Sequence, residues 1–488
     1  MSKFSEKLSS YIASSGYNVY QLAKEASLDR TTLQKTARGQ RLPSLDYIKD
    51  ICQYIKISKR QEAELVTLYQ IEKQGQEIVD SWKEIDACLN DIQKIRENEQ
   101  TNLMFSMHFN EQSMVSFNAE IQHTYTSESE CIKAILCMIE QEVMEQKSPE
   151  IFMDVSWASK FALEQCVLQT NGKQSQKPLC HQLVNLRNTE IAKGGLLDNL
   201  KMLHQILPYA FAPQNIYDVR YTYVNETNNE QKYHLWEHYI VTHRHVLLCS
   251  NTEYHMVVIS NEKIADSYRE EIIDMIQSYR PLLDYQGFSG EGIRRYREMA
   301  NYYETHVTYE SFPCLTLMFS EEMRQQILSD PKLKSYASAY FELSKVSSNH
   351  YINIFGMRGV KEFIETGHLP GEFDSYFVAE TMEIRKCMLK TFYDHLVHSK
   401  RRFYMINEEV FNESEAFGIE MYGRNRVVFC SSSADYPFGF ISIDEPGICD
   451  IFASYFDNFV QSHYVYSIEE TIVKFEEIVR RYFAEISK

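Results

Sequence analysis

The middle and the end of the chain repeat each other, and this internal repeat restricts the fold more than any other feature of the sequence. The segment RYTYVNE at 220–226 matches RFYMINE at 402–408, an offset of 182 residues. Downstream, HVLLCSNTEYHMVVIS at 245–260 matches RVVFCSSSADYPFGFIS at 426–442, and an amphipathic helical pattern follows each segment. Matches that keep one order along the chain indicate a unit of structure that occurs twice.

Two weaker pairs extend the repeat towards the N-terminus. Residues 150–166 and 350–367 share a strand followed by a helical pattern, and apolar segments near 102 and 314 also correspond. Short runs rich in Val, Ile, Phe and Tyr that alternate with helical patterns are typical of an α/β fold. Each copy therefore reads as strand, helix, strand, helix, strand, hairpin and helix.

The repeat divides the chain into a body and an N-terminal region that lies outside it. The body is predicted to consist of two tandem α/β units, at 99–290 and 300–488, with a hinge in the stretch 284–292, where three of nine residues are glycine. The rest is predicted to form an all-α head over 1–70 and a long helical neck over 71–98. The fold class is therefore multidomain, with an all-α head and neck followed by an α/β body.

Charge is distributed unequally between these parts. The 488 residues have a formal net charge of −18, which taken alone argues against a general binder of polyanions. Residues 1–70, however, contain 11 Lys and Arg against 7 Asp and Glu, a net charge of +4, and the remaining 418 residues have a net charge of −22. A basic end on an acidic chain is typical of a terminal domain that contacts nucleic acid.

The helical signals of the head describe a helix-turn-helix. A first helix with an apolar stripe ends at Gly16, and a second short helix covers about 19–26. Asp29 is a good N-cap for a third helix over about 30–37, and Ser44 is a good N-cap for a fourth. Two short helices joined by a tight turn are typical of this DNA-binding motif. A small helical bundle that binds protein is the alternative.

The run QLAKEASLDRTTLQKTARGQRLPSLDYIKDIC at 21–52 resembles the Cro/C1-type, or XRE-family, DNA-binding domain. The resemblance covers about 65 residues at the N-terminus of the chain. It rests on the start of the second helix, the interior of the third and the turn that follows, which are Gln21-Leu22-Ala23, Leu33, and Arg38-Gly39 followed by Pro43-Ser44-Leu45.

The resemblance implies which side chains meet double-stranded DNA. The family reads bases from the first turns of the third helix, where Arg suits guanine and Gln suits adenine. Gln21 would contact a phosphate or support the neighbouring side chain that contacts a base. Arg38 and Arg41 would bind phosphates. Two positions depart from the family pattern: Ser27 replaces a frequent turn glycine, and Arg30 stands where Gln is common. Because of Arg30, the DNA sequence that a family member recognises cannot be assigned to this chain. The predicted DNA-binding residues are Gln21, Arg30, Thr31, Thr32, Gln34, Lys35, Arg38 and Arg41.

A heptad pattern follows the head. Isoleucines recur every seven residues from Ile71 to Ile92, and Leu68, Trp82 and Leu89 occupy the second seam position. Isoleucine at the first seam position favours a two-stranded coiled coil, so a homodimer is predicted. One long helix that packs on its own body is the alternative, and Gly75 weakens either helix by about 1 kcal/mol relative to Ala. The predicted dimerisation residues are Ile71, Ile78, Trp82, Ile85, Leu89 and Ile92.

The sequence contains no complete catalytic or metal-binding motif. GxSxG, GxxxxGK[ST], HExxH and CxxC are all absent. Phospholipase-D-like domains, which two-unit α/β bodies resemble, need HxKxxxxD, but the stretch that begins at His398 has Met405 where Asp is required. His243 and His245 could share a strand face and meet a ligand or metal, although a solvent-facing pair is the simpler interpretation. No catalytic residue, metal or cofactor is predicted.

These features together predict a sequence-specific transcriptional regulator that is not an enzyme. Its partners would be double-stranded DNA, a second copy of the chain and an unidentified small-molecule or protein signal that the body senses. No signal peptide and no run of 18 apolar residues occurs, so no membrane partner is expected and the location would be cytoplasmic, on the nucleoid when DNA is bound. The alternatives are an enzyme or defence-type effector with a targeting or autoregulatory head, and an interaction scaffold with an acidic, nucleic-acid-like surface.

Overall fold

The computed structural model contains two compact units, Met1–Glu84 and Ile85–Lys488, which are described one at a time. The prediction of a multidomain chain with helical and α/β parts is confirmed at this level. The structure describes residues 2–101, 122–170, 178–189, 194–211, 217–224, 237–250, 254–287, 306–313, 352–368, 381–398, 402–411, 417–431 and 439–486.

Five helices and the start of a sixth form the N-terminal unit. Each of the first five follows a Ser, Asn or Asp whose side chain accepts a hydrogen bond from a main-chain amide in the first turn. These N-caps are why the predicted starts of the second, third and fourth helices agree with the observed ones. The helices are α1 (Lys3–Ser14), α2 (Val19–Glu25), α3 (Arg30–Ala37), α4 (Leu45–Ile55), α5 (Lys59–Gln74) and α6 (Gln76–Thr101).

One apolar core holds the head together. Phe4 and Leu8 on α1, Leu33 on α3 and Ile48 on α4 are almost completely buried together. Burying one such side chain contributes about 1.5–3 kcal/mol. The Tyr69 hydroxyl also donates to the carbonyl of Pro43 at 2.8 Å, which ties α5 to the segment between α3 and α4. The core therefore fixes the position of α3 within the head.

The turn between α2 and α3 needs a left-handed residue, and Ser27 occupies it with φ 55°. A residue with a Cβ is strained there, so we expect Ser27→Gly to raise the free energy of unfolding of the head by about 0.5–1 kcal/mol. Urea unfolding measures the change. The control is Ser10→Gly at an exposed position inside α1, where glycine should lower the free energy by about 0.5 kcal/mol. A loss of stability in both variants would contradict the assigned strain.

The helix of the neck is interrupted. Gly75 has φ 97°, in the left-handed region that favours glycine, and it separates α5 from α6. The sequence predicted continuous helix through this position. The break divides the heptad pattern, because Ile71 lies on α5 and the later isoleucines lie on α6.

Within the described ranges, the first sheet of the body has eight strands, with the spatial order β1-β7-β6-β5-β2-β3-β4-β8. The strands β2, β3 and β4 are parallel to one another, and every other neighbouring pair is antiparallel. The strands are β1 (Gln122–Tyr125), β2 (Glu150–Asp154), β3 (Leu179–Arg187), β4 (Tyr217–Val224), β5 (His238–Val241), β6 (His245–Cys249), β7 (Met256–Ser260) and β8 (Arg280–Pro281).

The described part of the second sheet has seven strands, with the order β12-β11-β10-β13-β14-β15-β9. Here β10, β11 and β12 are parallel and the other neighbouring pairs are antiparallel. The strands are β9 (Asp284–Gly287), β10 (His306–Glu310), β11 (Ile352–Phe355), β12 (Arg402–Met405), β13 (Gly418–Tyr422), β14 (Arg426–Ser431) and β15 (Gly439–Ile443).

Seven strands of the first sheet follow the same order and the same pairing directions as the seven strands of the second. Three parallel strands lie on one side, a three-stranded antiparallel meander follows, and the last meander strand pairs with the strand that comes earliest in the chain, β1 or β9. By position, β4 corresponds to β12 and β6 to β14, and the repeated sequence segments lie on these strands. By position, however, β2 corresponds to β10, whereas the sequence paired residues 150–166 with 350–367.

The predicted hinge begins with a strand. Asp284–Gly287 forms β9, which pairs with β15 of the second sheet, and only two residues separate it from β8 of the first. The predicted first segments near 102 and 314 lie outside the described residues.

Among the described residues, helices lie between successive parallel strands, since parallel pairing requires a crossover connection. In the first part α8 and α9 follow β2 and β3, and in the second part α11 and α12 join β11 to β12. The body helices are α7 (Glu128–Glu145), α8 (Trp157–Thr170), α9 (Leu196–Ala210), α10 (Glu262–Ser278), α11 (Met357–Thr366), α12 (Met382–His398), α13 (Pro446–Phe459) and α14 (Ile468–Ile486).

Candidate nucleic-acid interface

The helix α3 exposes one face and buries the other. Its N-cap is Asp29, whose Oδ1 accepts a hydrogen bond from the amide of Thr32 at 2.7 Å. Leu33 and Thr36 face the core of the head with no exposed surface. Residues on the opposite side of the helix meet solvent, and Arg30 and Lys35 are both exposed there.

The structure brings most of the predicted DNA-binding residues to the surface of the head. Gln34 is half-buried, and Thr32 is buried and unavailable for a base contact. The Thr32 hydroxyl instead accepts a hydrogen bond from Nη1 of Arg41 at 3.0 Å. The exposed predicted residues are Gln21, Arg30, Thr31, Lys35, Arg38 and Arg41.

The start of α3 carries a linked set of polar groups. The hydroxyl and the amide of Thr32, with a smaller contribution from the Arg41 guanidinium, hold the pKa of Asp29 below its ordinary value. The hydroxyl of Tyr47 donates to the Asp29 carbonyl at 2.9 Å. Thr32 therefore acts as a link between the N-cap and Arg41, and this link fixes the position of the arginine.

Gln21 has a role in the fold of α2. Its side-chain Oε1 accepts a hydrogen bond from the Asn18 amide at 3.3 Å, while its own amide donates to Asn18 Oδ1 at 2.9 Å. This reciprocal arrangement is a capping box. The neighbour that contacts Arg30 is Tyr20, because the guanidinium carbon of Arg30 lies 5.0 Å from the centre of the Tyr20 ring. Tyr20 is not among the residues predicted from the sequence, because its contact with Arg30 joins two helices and leaves no local pattern.

The predicted dimerisation residues do not form one exposed seam. Ile71 and Ile78 are half-buried, and Trp82 is buried. The remaining three are buried within the second compact unit of the single chain; these are Ile85, Leu89 and Ile92. The later part of α6 thus belongs to the body, as the alternative interpretation of the heptads expected.

Two polar contacts connect α6 to different parts of the body. The hydroxyl of Tyr455 on α13 donates a hydrogen bond to Oδ1 of Asp86. His204 on α9 contacts Oδ2 of Asp91 through Nε2 at 3.1 Å. Burial raises the pKa of Asp86 to about 6, although the hydrogen bond from Tyr455 opposes the rise. The helix that leads from the head therefore contacts one helix from each half of the body.

The two halves of the body also contact each other directly. Tyr223 on β4 donates from its hydroxyl to Oε1 of Glu445 at 2.7 Å, and Oε2 of Glu445 accepts from the amide of Ile448 at 2.7 Å. Glu445 is the N-cap of α13 and is buried. The ring of Phe211, at the end of α9, lies 5.8 Å from the ring of Phe429 on β14. These contacts join β4 and α9 to α13 and β14.

The two histidines singled out in the sequence lie in different surroundings. His243 is in the turn between β5 and β6, and its Nδ1 lies 2.6 Å from Oε1 of the buried Glu142. His245 is buried, its Nε2 lies 2.8 Å from Oε1 of Gln141, and burial lowers its pKa to about 4. Within the described ranges no group of three or more His, Cys, Asp or Glu residues is arranged to hold a metal ion.

Comparisons with known proteins establish no family. No protein-family profile and no curated protein sequence matches the chain. The similar solved structures include TrmBL2, an archaeal chromatin protein, at 12% identity over 53% of this chain and 87% of that one, with a TM-score of 0.19. Phosphatidylserine synthase of Haemophilus influenzae Rd KW20 has 11% identity over 81% of this chain and 98% of its own, with a TM-score of 0.23.

Polyphosphate kinase from Porphyromonas gingivalis is a third, at 12% identity over 67% of this chain and 45% of that one, with a TM-score of 0.19. Similarity at this level supports no conclusion about fold or function, and it does not reveal a Cro/C1-type domain. Among the described residues, no helix has the length and apolar character needed to cross a membrane.

Proposed function

We propose that this chain is a sequence-specific DNA-binding transcriptional regulator of the Cro/C1, or XRE, type. The observation that carries the proposal is the exposed face of α3. Arg30 and Lys35 lie on this face of an N-capped helix. Arg38 and Arg41 continue the basic surface beyond the end of the helix. A helix of this kind fits the major groove, with arginine as the reader of guanine and the flanking arginines on phosphates.

Selection of binding sites from random duplex DNA tests this function. The intact protein should enrich one sequence, and footprinting should then show protection of that sequence at a concentration that leaves unrelated DNA unprotected. Binding to all sequences with equal affinity would overturn the regulator. Protection that persists when both Arg30 and Gln34 are replaced would overturn the assignment of α3 as the reading helix.

For the body, we propose that the two halves are copies of one α/β unit. Seven strands in the same order and with the same pairing directions support a duplication, together with the repeated segments that lie on β4 and β12 and on β6 and β14. On this proposal the second copy starts at β9, which pairs with β15, and therefore earlier than the predicted residue 300. The proposed role of the body is sensing, and the His243 and His245 side chains have their partners within the fold.

The proposed mechanism of regulation is a population shift carried by α6. Asp86 contacts α13 in one half of the body, and Asp91 contacts α9 in the other. A ligand or protein that changes the arrangement of the two halves would therefore also change the position of α6 on the body. Because α6 is continuous with the chain that leads to the head, two arrangements of the body would differ in DNA affinity. The acidic body would at the same time be repelled by the DNA phosphates, which favours contact through the head.

A homodimer remains part of this proposal, with a shorter seam than the heptads indicated. Ile71 and Ile78 are the predicted seam residues that keep partial exposure, so we expect them to contribute to the interface. At micromolar concentration mass photometry should detect a species of twice the 57.4 kDa chain mass, and replacing both isoleucines by Ala should shift it to the single chain. A wild-type protein that is entirely monomeric would disprove the dimer, and a double variant that stays dimeric would place the seam elsewhere.

A further inference from the structure

Tyr20 and Arg30 form a pair on the outer face of the head. Tyr20 is the second residue of α2 and is 55% exposed. The guanidinium carbon of Arg30, the first residue of α3, lies 5.0 Å from the centre of the Tyr20 ring. This distance is within the range of a cation–π contact, which forms here between the two helices of the motif.

The ring restricts the guanidinium of Arg30 without using its hydrogen-bond donors. A planar guanidinium over an aromatic face keeps its N–H groups free at the edge, where they can meet the O6 and N7 acceptors of guanine. An arginine side chain that moves freely loses rotamer freedom when it binds, which costs free energy. A side chain that is already ordered has lost part of that freedom, so binding costs less. The Tyr20 ring can therefore order Arg30 and leave its bidentate edge available.

The two polar side chains next to this pair along the chain are engaged elsewhere in the head. Gln21, which the family resemblance suggested as a brace, has its Oε1 engaged by the Asn18 amide in the capping box. Asp29, the residue just before Arg30, has its Oδ1 engaged by the Thr32 amide. The contact that the structure gives the Arg30 guanidinium is the ring of Tyr20.

We propose that Tyr20 is a positioning residue that aligns Arg30 for a guanine in the recognised DNA, and that it sets the preference for that base. The inference rests on the proposed function. Exposed cation–π contacts correspond to about a two- to fivefold effect on an equilibrium constant. Loss of the ring should therefore reduce the preference for guanine over adenine at one position of the site by about two- to fivefold.

The test uses the intact protein and two duplexes, the selected site and the same site with the guanine pair replaced by an adenine pair. The ratio of the two dissociation constants is measured for the wild type, Tyr20→Phe and Tyr20→Leu. Phenylalanine keeps the ring, so Tyr20→Phe should retain the wild-type ratio, and Tyr20→Leu should lower it. Affinity for unrelated DNA should be the same for all three proteins. Because the side chain is exposed, the thermal midpoint of the head should fall in Tyr20→Leu by no more than the loss of the contact with Arg30 explains.

A double-mutant cycle with Arg30→Ala shows whether Tyr20 acts through Arg30. In the Arg30→Ala background, Tyr20→Leu should have no further effect on the ratio. The proposal is overturned if Tyr20→Leu keeps the wild-type ratio, if Tyr20→Phe loses as much as Tyr20→Leu, or if the effect persists without Arg30. A wild-type protein that has no preferred sequence overturns the proposed function itself, whereas a selective wild type with an unchanged Tyr20→Leu variant overturns only this inference.

Discussion

Arg30→Ala is expected to bind the selected DNA site about 10- to 100-fold more weakly than the wild type, because a bidentate contact between arginine and guanine contributes about 1–3 kcal/mol of discrimination. The loss should be confined to the selected site. The side chain is exposed at the first position of α3 and takes no part in the core, so the free energy of unfolding should fall by no more than about 1 kcal/mol, the contribution of its contact with Tyr20. Fluorescence anisotropy at fixed salt measures the affinity, and a selection experiment with the variant measures the preference.

Arg60→Ala is the matched control for this prediction. It removes the same charge from the same domain, at an exposed position on α5 that is not among the predicted DNA-binding residues. Its effect should be less than about twofold, because it changes only the general attraction between the head and DNA. Equal losses in the two variants would mean that charge alone explains the effect of Arg30, and the base contact would be refuted.

Arg38 offers a second contrast within the same interface. An arginine on a phosphate adds affinity for every sequence, so Arg38→Ala should weaken selected and unrelated DNA alike and lower the salt slope by about one. Arg30→Ala should instead leave the affinity for unrelated DNA close to that of the wild type. The two arginines therefore separate the reading of bases from the positioning on the backbone.

The head was predictable because its determinants are local. Asp29 and Ser44 cap helices by contacts that reach only three residues along the chain, and Leu33 occupies an apolar helical position. The exception is Thr32, whose burial depends on the face of α3 that turns towards the core. Thr36, one helical turn later, is also buried, and the two together mark the inner face of α3. The four-residue spacing between Thr32 and Thr36 could have excluded Thr32 from the predicted base-contacting residues.

The neck and the body were less predictable because their contacts are long-range. A heptad pattern specifies an apolar stripe, and the same stripe can pack on a partner helix or on the chain's own body. For Ile85, Leu89 and Ile92 the body supplies the covering surface. Similarly, the glycines near 284–292 suggested a hinge, and nothing local indicated that Asp284–Gly287 would pair with a strand some 150 residues later.

The carboxylate of Asp86 makes the body sensitive to pH. Burial raises the pKa of Asp86 to about 6 in the folded chain, above the value near 4 that an aspartate has when unfolded. The folded state therefore binds this proton more tightly than the unfolded state does. The stabilising contribution is fully present below about pH 4 and is lost as the pH rises through about 6, because a partly buried carboxylate must then carry its charge.

Asp86→Asn removes this dependence. The amide oxygen can still accept the hydrogen bond from the Tyr455 hydroxyl, and no charge develops, so we expect the variant to be more stable than the wild type at pH 8 by about 1–3 kcal/mol. The difference should shrink towards zero as the pH falls from 7 to 4. Urea unfolding of the intact protein across this range, with the transition of the body followed by circular dichroism, measures both values.

Asp91→Asn is the control on the same helix, and its expected sign is opposite. Burial disfavours the charge of Asp91, but the hydrogen bonds from Lys94 and His204 outweigh burial and hold the pKa of this carboxyl below its ordinary value. Its contribution is present above the unfolded pKa and is lost as the pH falls, so Asp91→Asn should destabilise the body at pH 8. If both variants shift stability in the same direction at pH 8, the two carboxylates of α6 do not occupy the opposed electrostatic environments described above.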